Sequence, residues 1–290
     1  MVKDTKKYKS ESQLVTVIKR MSKNKASMAG LIILCILILI ALSATWIMPY
    51  SYTKMEMTNR FATPSFAHLF GCDELGRDIL SRLIYGARYS LVLGLGSVAL
   101  SVVFGLIFGS IAGFFGGIVD SIIMRFLDIF SSIPGMLMAV VISAVLGSGF
   151  GNCILAISVS TMPQYVRLLR ASIMSIRNME YLEASSTLQN CSKFRIIVKH
   201  VLPNSLSSLI VTATMGVASS ILMAAGLSYV GLGVQPPNPE WGAMLSGARS
   251  YLRDYPHMVV FPGIVLAVTV LSLNMLGDGL RDALDPKLKK

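Results

Sequence analysis

Long apolar runs alternate with short polar segments along the chain, and this alternation predicts membrane-spanning helices. A helix needs about 20 mostly apolar residues to cross the hydrocarbon core of a bilayer. Runs of that length with few charges indicate spanning helices rather than helices of a soluble core. Six spans are predicted, at about residues 29–48, 89–112, 122–147, 151–170, 204–226 and 258–278. The predicted fold class is therefore an all-α integral membrane protein with six transmembrane helices.

The fourth of these runs is the most polar. It holds five residues that are unusual on a lipid-facing surface: Ser158, Ser160, Thr161, Pro163 and Gln164. Polar side chains and proline are tolerated at membrane depth where neighbouring helices or a water-filled cavity satisfy them. We therefore expect this span to face other helices or a cavity.

The segment before the first run is amphipathic. Leu14, Ile18 and Met21 recur at helical spacing between residues 10 and 28, with lysines and arginines around them. This pattern is typical of an interfacial helix on an anionic leaflet, and a solvated basic tail is the alternative. The run that follows is long enough to span the bilayer and shows no small-residue cleavage site, which favours a retained anchor over a signal peptide.

Composition supports the membrane assignment and the charge distribution gives an orientation. The chain is 53% hydrophobic and 14% charged, whereas soluble domains carry about 25% charged residues. If the N-terminus lies inside, 19 of the 26 Lys and Arg residues fall in the inside segments. Because cytoplasmic loops are enriched in Lys and Arg, both termini are expected in the cytoplasm. The net charge of +11 then reflects orientation, and no nucleic-acid partner is predicted.

These features divide the chain into four parts. Residues 1–28 form a cytoplasmic tail with its amphipathic helix, and residues 29–85 form an anchor with an extracytoplasmic loop. Residues 86–280 form the main transmembrane domain, and residues 281–290 form a cytoplasmic tail. The main domain includes a polar cytoplasmic loop at residues 171–203.

Small residues recur every four positions along the second span. They are Ser97, Ser101, Gly105, Gly109 and Gly113. This spacing places them in one stripe on a helix face, which permits close approach of another helix in lipid. We expect a tight helix interface around a translocation path, with generic helix packing as the alternative.

Charged residues are rare inside the predicted spans. Arg125 and Asp128 stand three residues apart on one helix face, so the two are expected to pair, with substrate or ion binding as the alternative. Buried acids do not form the series that a proton relay needs, which argues against a secondary transporter.

Motifs of catalysis are missing from the sequence. It contains no P-loop motif, no HExxH motif and no GxSxG motif, and its three histidines lie far apart. The four cysteines form no CxxC pair, so they are interpreted as small apolar residues. No metal or cofactor site is predicted in this chain, and the protein is expected not to be an enzyme.

A charged turn and a glycine- and proline-rich segment flank the predicted spans on the outside. Asp73, Glu74, Arg77 and Asp78 cluster after the first span. A turn that caps the next helix is favoured over a pair of catalytic carboxylates. Residues 227–257 cannot form one continuous helix and are apolar enough to dip towards the membrane, either as a gate or as a plain loop.

The segment Tyr181–Asn204 is a polar island between the fourth and fifth spans. Asn178 is a candidate N-cap, and Glu180 and Glu183 lie early in the predicted short helix, where the helix dipole favours acids. Leu182, Ala184 and Leu188 add an apolar strip. A short helix of this kind is suited to a groove on a soluble partner, and a surface loop is the alternative.

This island resembles the coupling helix of permease subunits of ABC importers. The residues that match are Glu183, Ala184, Ile197, His200, Leu202, Pro203 and Asn204. Ser185 replaces a usual Ala, and Gln189 replaces a usual Gly that permits the turn ending the helix. The resemblance implies that Glu183, Ala184, Ser185, Leu188, Gln189, His200 and Pro203 couple the chain to a partner ATPase.

Further motifs resemble the second permease of the dipeptide, oligopeptide and nickel branch. They include residues 70–78, 85–88, 227–237, 240–245 and 276–286, so the resemblance covers nearly the whole chain. Within the first, Gly71, Asp73, Gly76, Arg77 and Asp78 are identified as an extracytoplasmic motif. The resemblance implies the type I importer permease fold.

The same resemblance implies the partners and the activity. Expected partners are a second homologous permease, two ATPase subunits that bind ATP and Mg²⁺, and an extracytoplasmic substrate-binding protein, besides membrane lipid. The predicted function is ATP-driven import of dipeptides or oligopeptides. Import of nickel or a metal chelate is the alternative, and a stand-alone channel or secondary transporter is a more remote one.

Overall fold

Long helices dominate the computed structural model, which describes residues 20–177 and 202–284 of the chain. Among these residues, four helical runs are long and apolar enough to cross a membrane. They are α1 (Lys25–Ile47), the run Ile79–Phe115, the Ser208–Tyr229 part of α7 (Leu202–Tyr229), and α9 (His257–Leu284). A bent pair of helices brings the number to as many as five. The all-α membrane class is confirmed.

The second run starts well before the predicted residue 89. It consists of α2 (Ile79–Phe104), a π-helical turn (Gly105–Gly109) and α3 (Ser110–Phe115). The hydropathy pattern placed the start of this span at residue 89, after Arg82 and Arg88, because charged residues are rare in membrane-spanning helices. In the structure both arginines are satisfied by other parts of the protein.

The third predicted span, 122–147, is wrong as a single helix. The structure contains α4 (Gly117–Ser131) and α5 (Gly135–Leu146), which meet at 85°. Pro134 lies at the break, and its ψ of 133° is not helical. Proline lacks an N–H group and disfavours helical geometry in the residue before it, which explains the break.

The fourth predicted span corresponds to α6 (Phe150–Arg177), which continues through Pro163. It is not among the helices apolar enough to cross a membrane by composition. Ser158 is completely buried, and its hydroxyl group donates to the carbonyl oxygen of Ser97 in α2 at 3.0 Å. The polar character of α6 is therefore explained in part by its contact with a neighbouring helix.

Helix α1 is held by α9 and α2, while α7 packs against α2, α6 and α9. Arg88 connects α2 to α1. Its guanidinium group donates hydrogen bonds to the carbonyl oxygens of Ala41 and Leu42, the latter at 2.7 Å. Tyr165 of α6 and Trp241 are among the largest side chains in the core. The centre of the molecule therefore lies where α2, α6 and α7 meet.

Residues 230–256 fold back over the helices. They contain α8 (Trp241–Ala248) and a 3-10 turn (Arg249–Tyr251), and α8 packs against α7 and α9. The prediction that this part of the chain is not one continuous helix is confirmed. We call the side of the molecule that carries α8 and the turn before α2 the motif end.

The opposite side carries the N-terminal end of α1 and the C-terminal end of α9. Arg20 donates to the carbonyl oxygen of Ala283 at 3.4 Å, and Gly277 of α9 lies beside Met215 of α7. The last residues of α6 also meet the first turns of α7 there, since Ser172 and Ser208 lie 3.2 Å apart. We call this side the coupling end, after the predicted coupling segment, because residues 178–201 join α6 to α7 in the sequence.

Candidate functional sites

The residues predicted to couple the chain to an ATPase fall outside the described part of the structure. They are Glu183, Ala184, Ser185, Leu188, Gln189 and His200. Pro203 is the second residue of α7. Their assignment stays a prediction from the sequence.

The charged turn at the motif end is centred on Asp73. Its carboxylate accepts hydrogen bonds from the backbone N–H groups of Leu75 and Arg77, both at 2.9 Å, and from Arg77 Nε at 2.7 Å. Arg82 Nε lies 3.5 Å from the same carboxylate, and Arg77 also contacts Glu74 at 3.2 Å. Asp73, Arg77 and Arg82 are buried. Buried charges persist where they are paired, so this turn is a structural network.

The predicted capping turn is present, and Asp78 is the N-cap of α2. Its carboxylate accepts from the backbone N–H and the hydroxyl group of Ser81, at 2.8 and 2.7 Å. The second carboxylate oxygen lies 2.9 Å from His68 Nδ1, and the backbone N–H of Tyr50 donates to Ser81 at 3.0 Å. One capping residue thus joins the loop after α1 to the start of α2.

Two glycines of the predicted extracytoplasmic motif have backbone conformations that favour glycine. Gly71 has φ +75° and Gly76 has φ +70°. A Cβ atom at Gly76 would overlap the carbonyl oxygen of Glu56, and one at Gly71 would lie 2.5 Å from the carbonyl oxygen of Ala62. Both positions therefore require glycine for conformation and for space.

Glu240 belongs to the motif at residues 240–245 but was assigned no role of its own from the sequence; in the structure it caps α8 and is 1% exposed. Its carboxylate accepts from the backbone N–H groups of Gly242 and Ala243 at 2.8 and 2.7 Å, and from Ser228 Oγ at 2.9 Å. Burial raises the pKa of Glu240, and the donated hydrogen bonds oppose that shift. An acid after Pro239 and before an apolar run was the available signal.

Trp241 attaches α8 to α2. Its indole Nε1 donates to the carbonyl oxygen of Leu83, and its backbone N–H donates to Ser90 Oγ, both at 3.1 Å. The side chain is completely buried. Glu240 and Trp241 therefore fix the segment after α7 on the same helix that begins with the charged turn.

A small cavity of about 70 Å³ separates these two parts of the motif end. It is lined on one side by residues of the charged turn and α2, and on the other by residues of α8 and its flanks. The lining residues are Asp73, Glu74, Arg77, Ile79, Arg82, Pro236, Asn238, Ala243, Met244, Gly247, Ala248 and Met258. This volume suits a few water molecules rather than a peptide.

The stripe of small residues on α2 and its continuation contacts α6. The hydroxyl group of Ser101 donates to the carbonyl oxygen of Ser158 at 3.0 Å. Cβ atoms placed on Gly105 and Gly109 would lie 2.9 Å from Tyr165 Cβ and 2.8 Å from the carbonyl oxygen of Val166. The two backbones therefore approach closely within one chain, and a role of the stripe in a translocation path stays a prediction.

Two ion pairs connect α4 to α6 near the coupling end. Arg170 forms a bidentate pair with Asp120, with one of the two distances at 2.5 Å. Arg167 Nη2 donates to Asp128 at 2.7 Å. The prediction that Asp128 pairs with Arg125 is therefore wrong. An arginine of the neighbouring helix reaches Asp128, which spacing along α4 alone could not reveal.

Metal ligands do not gather in the described residues. Within 20–177 and 202–284, no group of three His, Cys, Asp or Glu side chains is placed to hold a metal ion. Cys35, Cys72 and Cys153 are free thiols, and the latter two are buried.

Comparison with known proteins agrees with this architecture. Residues 105–290 match the family described as "Binding-protein-dependent transport system inner membrane component". Residues 12–64 match the "N-terminal TM domain of oligopeptide transport permease C". The chain belongs to the first of these families. It is therefore a membrane permease of a binding-protein-dependent transport system.

Several relatives resemble the permease over most of its length. The dipeptide transport system permease protein DppC of Alkalihalophilus pseudofirmus is 43% identical over 97% of this chain and 92% of its own. The di/tripeptide transport system permease protein DppC of Pseudomonas aeruginosa is 44% identical over 92% of this chain and 89% of its own. The glutathione transport system permease protein GsiD of Shigella flexneri is 43% identical over 93% of this chain and 89% of its own.

A solved structure shares the fold of the permease. An inward-facing structure of the MetNI methionine ABC transporter superposes with a TM-score of 0.58, at 21% identity, over 71% of this chain and 98% of its own. At this identity the likeness concerns the fold alone. The predicted type I importer permease fold is confirmed.

Proposed function

We propose that this permease is a transmembrane subunit of an ATP-driven importer of peptides. The observation that carries this proposal is the 43–44% identity, over more than nine-tenths of the chain, to dipeptide and di/tripeptide permeases. Identity over such a length includes the loops as well as the helices. A permease that handled unrelated cargo would be expected to keep the fold but not this degree of likeness.

The partners follow from the same proposal. This chain and a homologous permease enclose the path, two ATPase subunits bind ATP and Mg²⁺, and an extracytoplasmic binding protein delivers the peptide. The chain itself binds no cofactor and catalyses no reaction. Its missing P-loop fits a subunit that depends on a separate motor.

The proposed orientation places the coupling end in the cytoplasm of a bacterial cell and the motif end outside. The excess of Lys and Arg in the segments at the coupling end supports this orientation. The N-terminal end of α1 and the C-terminal end of α9 lie together there, in agreement with termini on one side. Gly71, Asp73, Gly76, Arg77 and Asp78 then face the binding protein's side.

Coupling to the ATPase is assigned to the segment between α6 and α7, with Glu183 as its central acid. A Glu183→Arg variant is expected to reach the membrane normally but to lose uptake while the complex still hydrolyses ATP. Uptake and ATP hydrolysis are measured together in proteoliposomes that contain the whole transporter, with Glu180→Gln as the matched control. Normal uptake by Glu183→Arg would contradict this assignment.

Cargo is tested by uptake in a strain that lacks this permease. Labelled dialanine should enter only when the wild-type chain is restored, and labelled nickel should enter at the same rate with or without it. Restoration of nickel uptake without peptide uptake would replace the peptide proposal by the metal alternative.

A further inference from the structure

The two ion pairs between α4 and α6 differ in their exposure. The side chains of Asp120 and Arg170 are 14% and 28% exposed, whereas those of Asp128 and Arg167 are 66% and 43% exposed. A charged pair that faces lipid is costly, so charges in spanning segments face a water-filled cavity or another protein. The outer pair, Asp128 with Arg167, therefore marks a side of the permease that is turned away from lipid.

Other polar side chains follow the outer pair on both helices. On α6, Ser160, Gln164 and Arg167 lie at i, i+4 and i+7, which is one helix face, and Gln164 is exposed. A second polar row is also exposed on α4 and its C-cap residue. Its members are Ser121, Arg125, Asp128 and Ser132. We call these two rows the polar stripes.

Helix α4 presents a different face beside its polar stripe. Ile118, Ile122, Phe126 and Ile129 are 80%, 63%, 55% and 67% exposed. Such a helix separates an apolar environment on one side from a polar one on the next. The polar stripes thus occur where the helix surface changes from apolar to charged.

We propose that the polar stripes line the water-filled part of the substrate path, and that Asp128 and Arg167 bind the charged termini of a peptide. This inference rests on the proposed function. A peptide carries an ammonium group and a carboxylate, which match the carboxylate of Asp128 and the guanidinium of Arg167. When no peptide is present, the two side chains neutralise each other at 2.7 Å.

The partial exposure of this pair suits transport. Because both side chains are partly exposed, the pair opens at little cost, and a peptide exchanges one set of charged contacts for another. Binding of this kind is weak enough to permit release, which a translocation path requires. The inner pair, Asp120 with Arg170, is too enclosed for this exchange and holds the helices together.

The first test measures access of water to the polar stripes. Single cysteines replace Gln164, Ser132 and, as the control on the apolar face, Ile122, in a background where the four native cysteines are changed to Ala or Ser. A charged, membrane-impermeant thiol reagent should modify Gln164→Cys and Ser132→Cys about tenfold faster than Ile122→Cys, because thiolate formation needs water. Equal rates at all three positions would overturn the path assignment.

The second test measures peptide contact. Dialanine should slow modification of Gln164→Cys in the complete transporter, and N-acetyl-dialaninamide, which has no charged termini, should not. Protection should disappear in Asp128→Asn and Arg167→Gln, and dialanine uptake should fall about tenfold for loss of one charged contact. Arg253→Gln, an exposed charge elsewhere, serves as the control with unchanged uptake.

The outcomes separate this inference from the proposed function. If the wild-type complex imports dialanine but dialanine and its neutral analogue protect equally, the role of Asp128 and Arg167 is wrong. Unchanged dialanine uptake in both Asp128→Asn and Arg167→Gln would also show that these two residues do not bind the peptide termini. If the wild-type complex imports no dialanine, the proposed function fails, while the modification rates still decide whether the polar stripes face water.

Discussion

Glu240 holds the first turn of α8 with a carboxylate that is almost completely shielded from solvent. Both of its oxygens accept from backbone N–H groups. A Glu240→Gln variant keeps the shape but points an NH₂ group at one of these donors. We expect a loss of about 1–3 kcal/mol in the free energy of unfolding, the usual cost of an unsatisfied buried polar group.

Thermal unfolding of the purified permease measures this loss. Glu74→Gln is the matched control, because Glu74 is partly exposed and its hydrogen bond comes from the side chain of Arg77. The control should change the melting temperature little. A melting temperature of Glu240→Gln equal to that of the wild type would show that the cap contributes nothing.

Gly76 shows a second kind of constraint at the residue scale. Its positive φ and its contact with the carbonyl oxygen of Glu56 leave no room for a methyl group. Gly76→Ala should destabilise the charged turn by roughly 2 kcal/mol or more. Gly117→Ala is the control, since Gly117 has φ +57° but open space around it, so only the backbone cost of about 1 kcal/mol applies. Urea or thermal unfolding compares the two variants.

At the scale of the helices, the contact between α2 and α6 depends on the absence of side chains. Gly109→Val would push a branched side chain against the backbone of α6 at Val166, so we expect a loss of about 1–3 kcal/mol through overpacking. Gly96→Ala is the control, because the nearest atom, Ile154 Cδ1, lies 3.4 Å from the new methyl group. The amount of folded permease after detergent extraction reports the difference.

The element boundaries show what the sequence could predict. Hydropathy located every long apolar helix, because burial in lipid requires apolar side chains over about 20 residues. It missed the break between α4 and α5, since the apolar run continues across Pro134. It also placed the start of α2 too late, because the partners of Arg82 and Arg88 come from distant parts of the chain.

Among the site residues, the sequence predicted a local turn correctly but not a contact between helices. A capping turn before α2 depends on residues that are close together in the chain, so the sequence predicted the turn, and the structure identifies Asp78 as its capping residue. The partner of Asp128 lies 39 residues away on α6, and spacing on α4 suggested Arg125 instead. Contacts between helices depend on how the helices cross, which a single sequence does not contain.

At the scale of the whole molecule, α6 connects the middle of the permease to the proposed coupling segment. The inner pair between Asp120 and Arg170 ties α4 to this helix. Asp120→Arg or Arg170→Asp alone should place like charges together and lower both stability and uptake, with a cost of about 1–3 kcal/mol. The double variant restores an opposite pair and should recover most of the loss.

Uptake per ATP hydrolysed, measured in proteoliposomes, is the readout for these three variants. Recovery in the double variant would show that the ion pair itself matters, because other effects of the two substitutions would add. If the double variant is as impaired as the worse single variant, α4 is not linked to α6 through this pair.

The contact of Arg88 with Ala41 and Leu42 has a consequence for how the protein is made. Insertion of an arginine into a bilayer costs up to about 2.5–3.5 kcal/mol at the centre of a helix. Helix α1 precedes α2 in the chain, so we expect the carbonyl oxygens of Ala41 and Leu42 to be available when Arg88 enters the membrane. The first helix can therefore act during biogenesis as an intramolecular chaperone for the second.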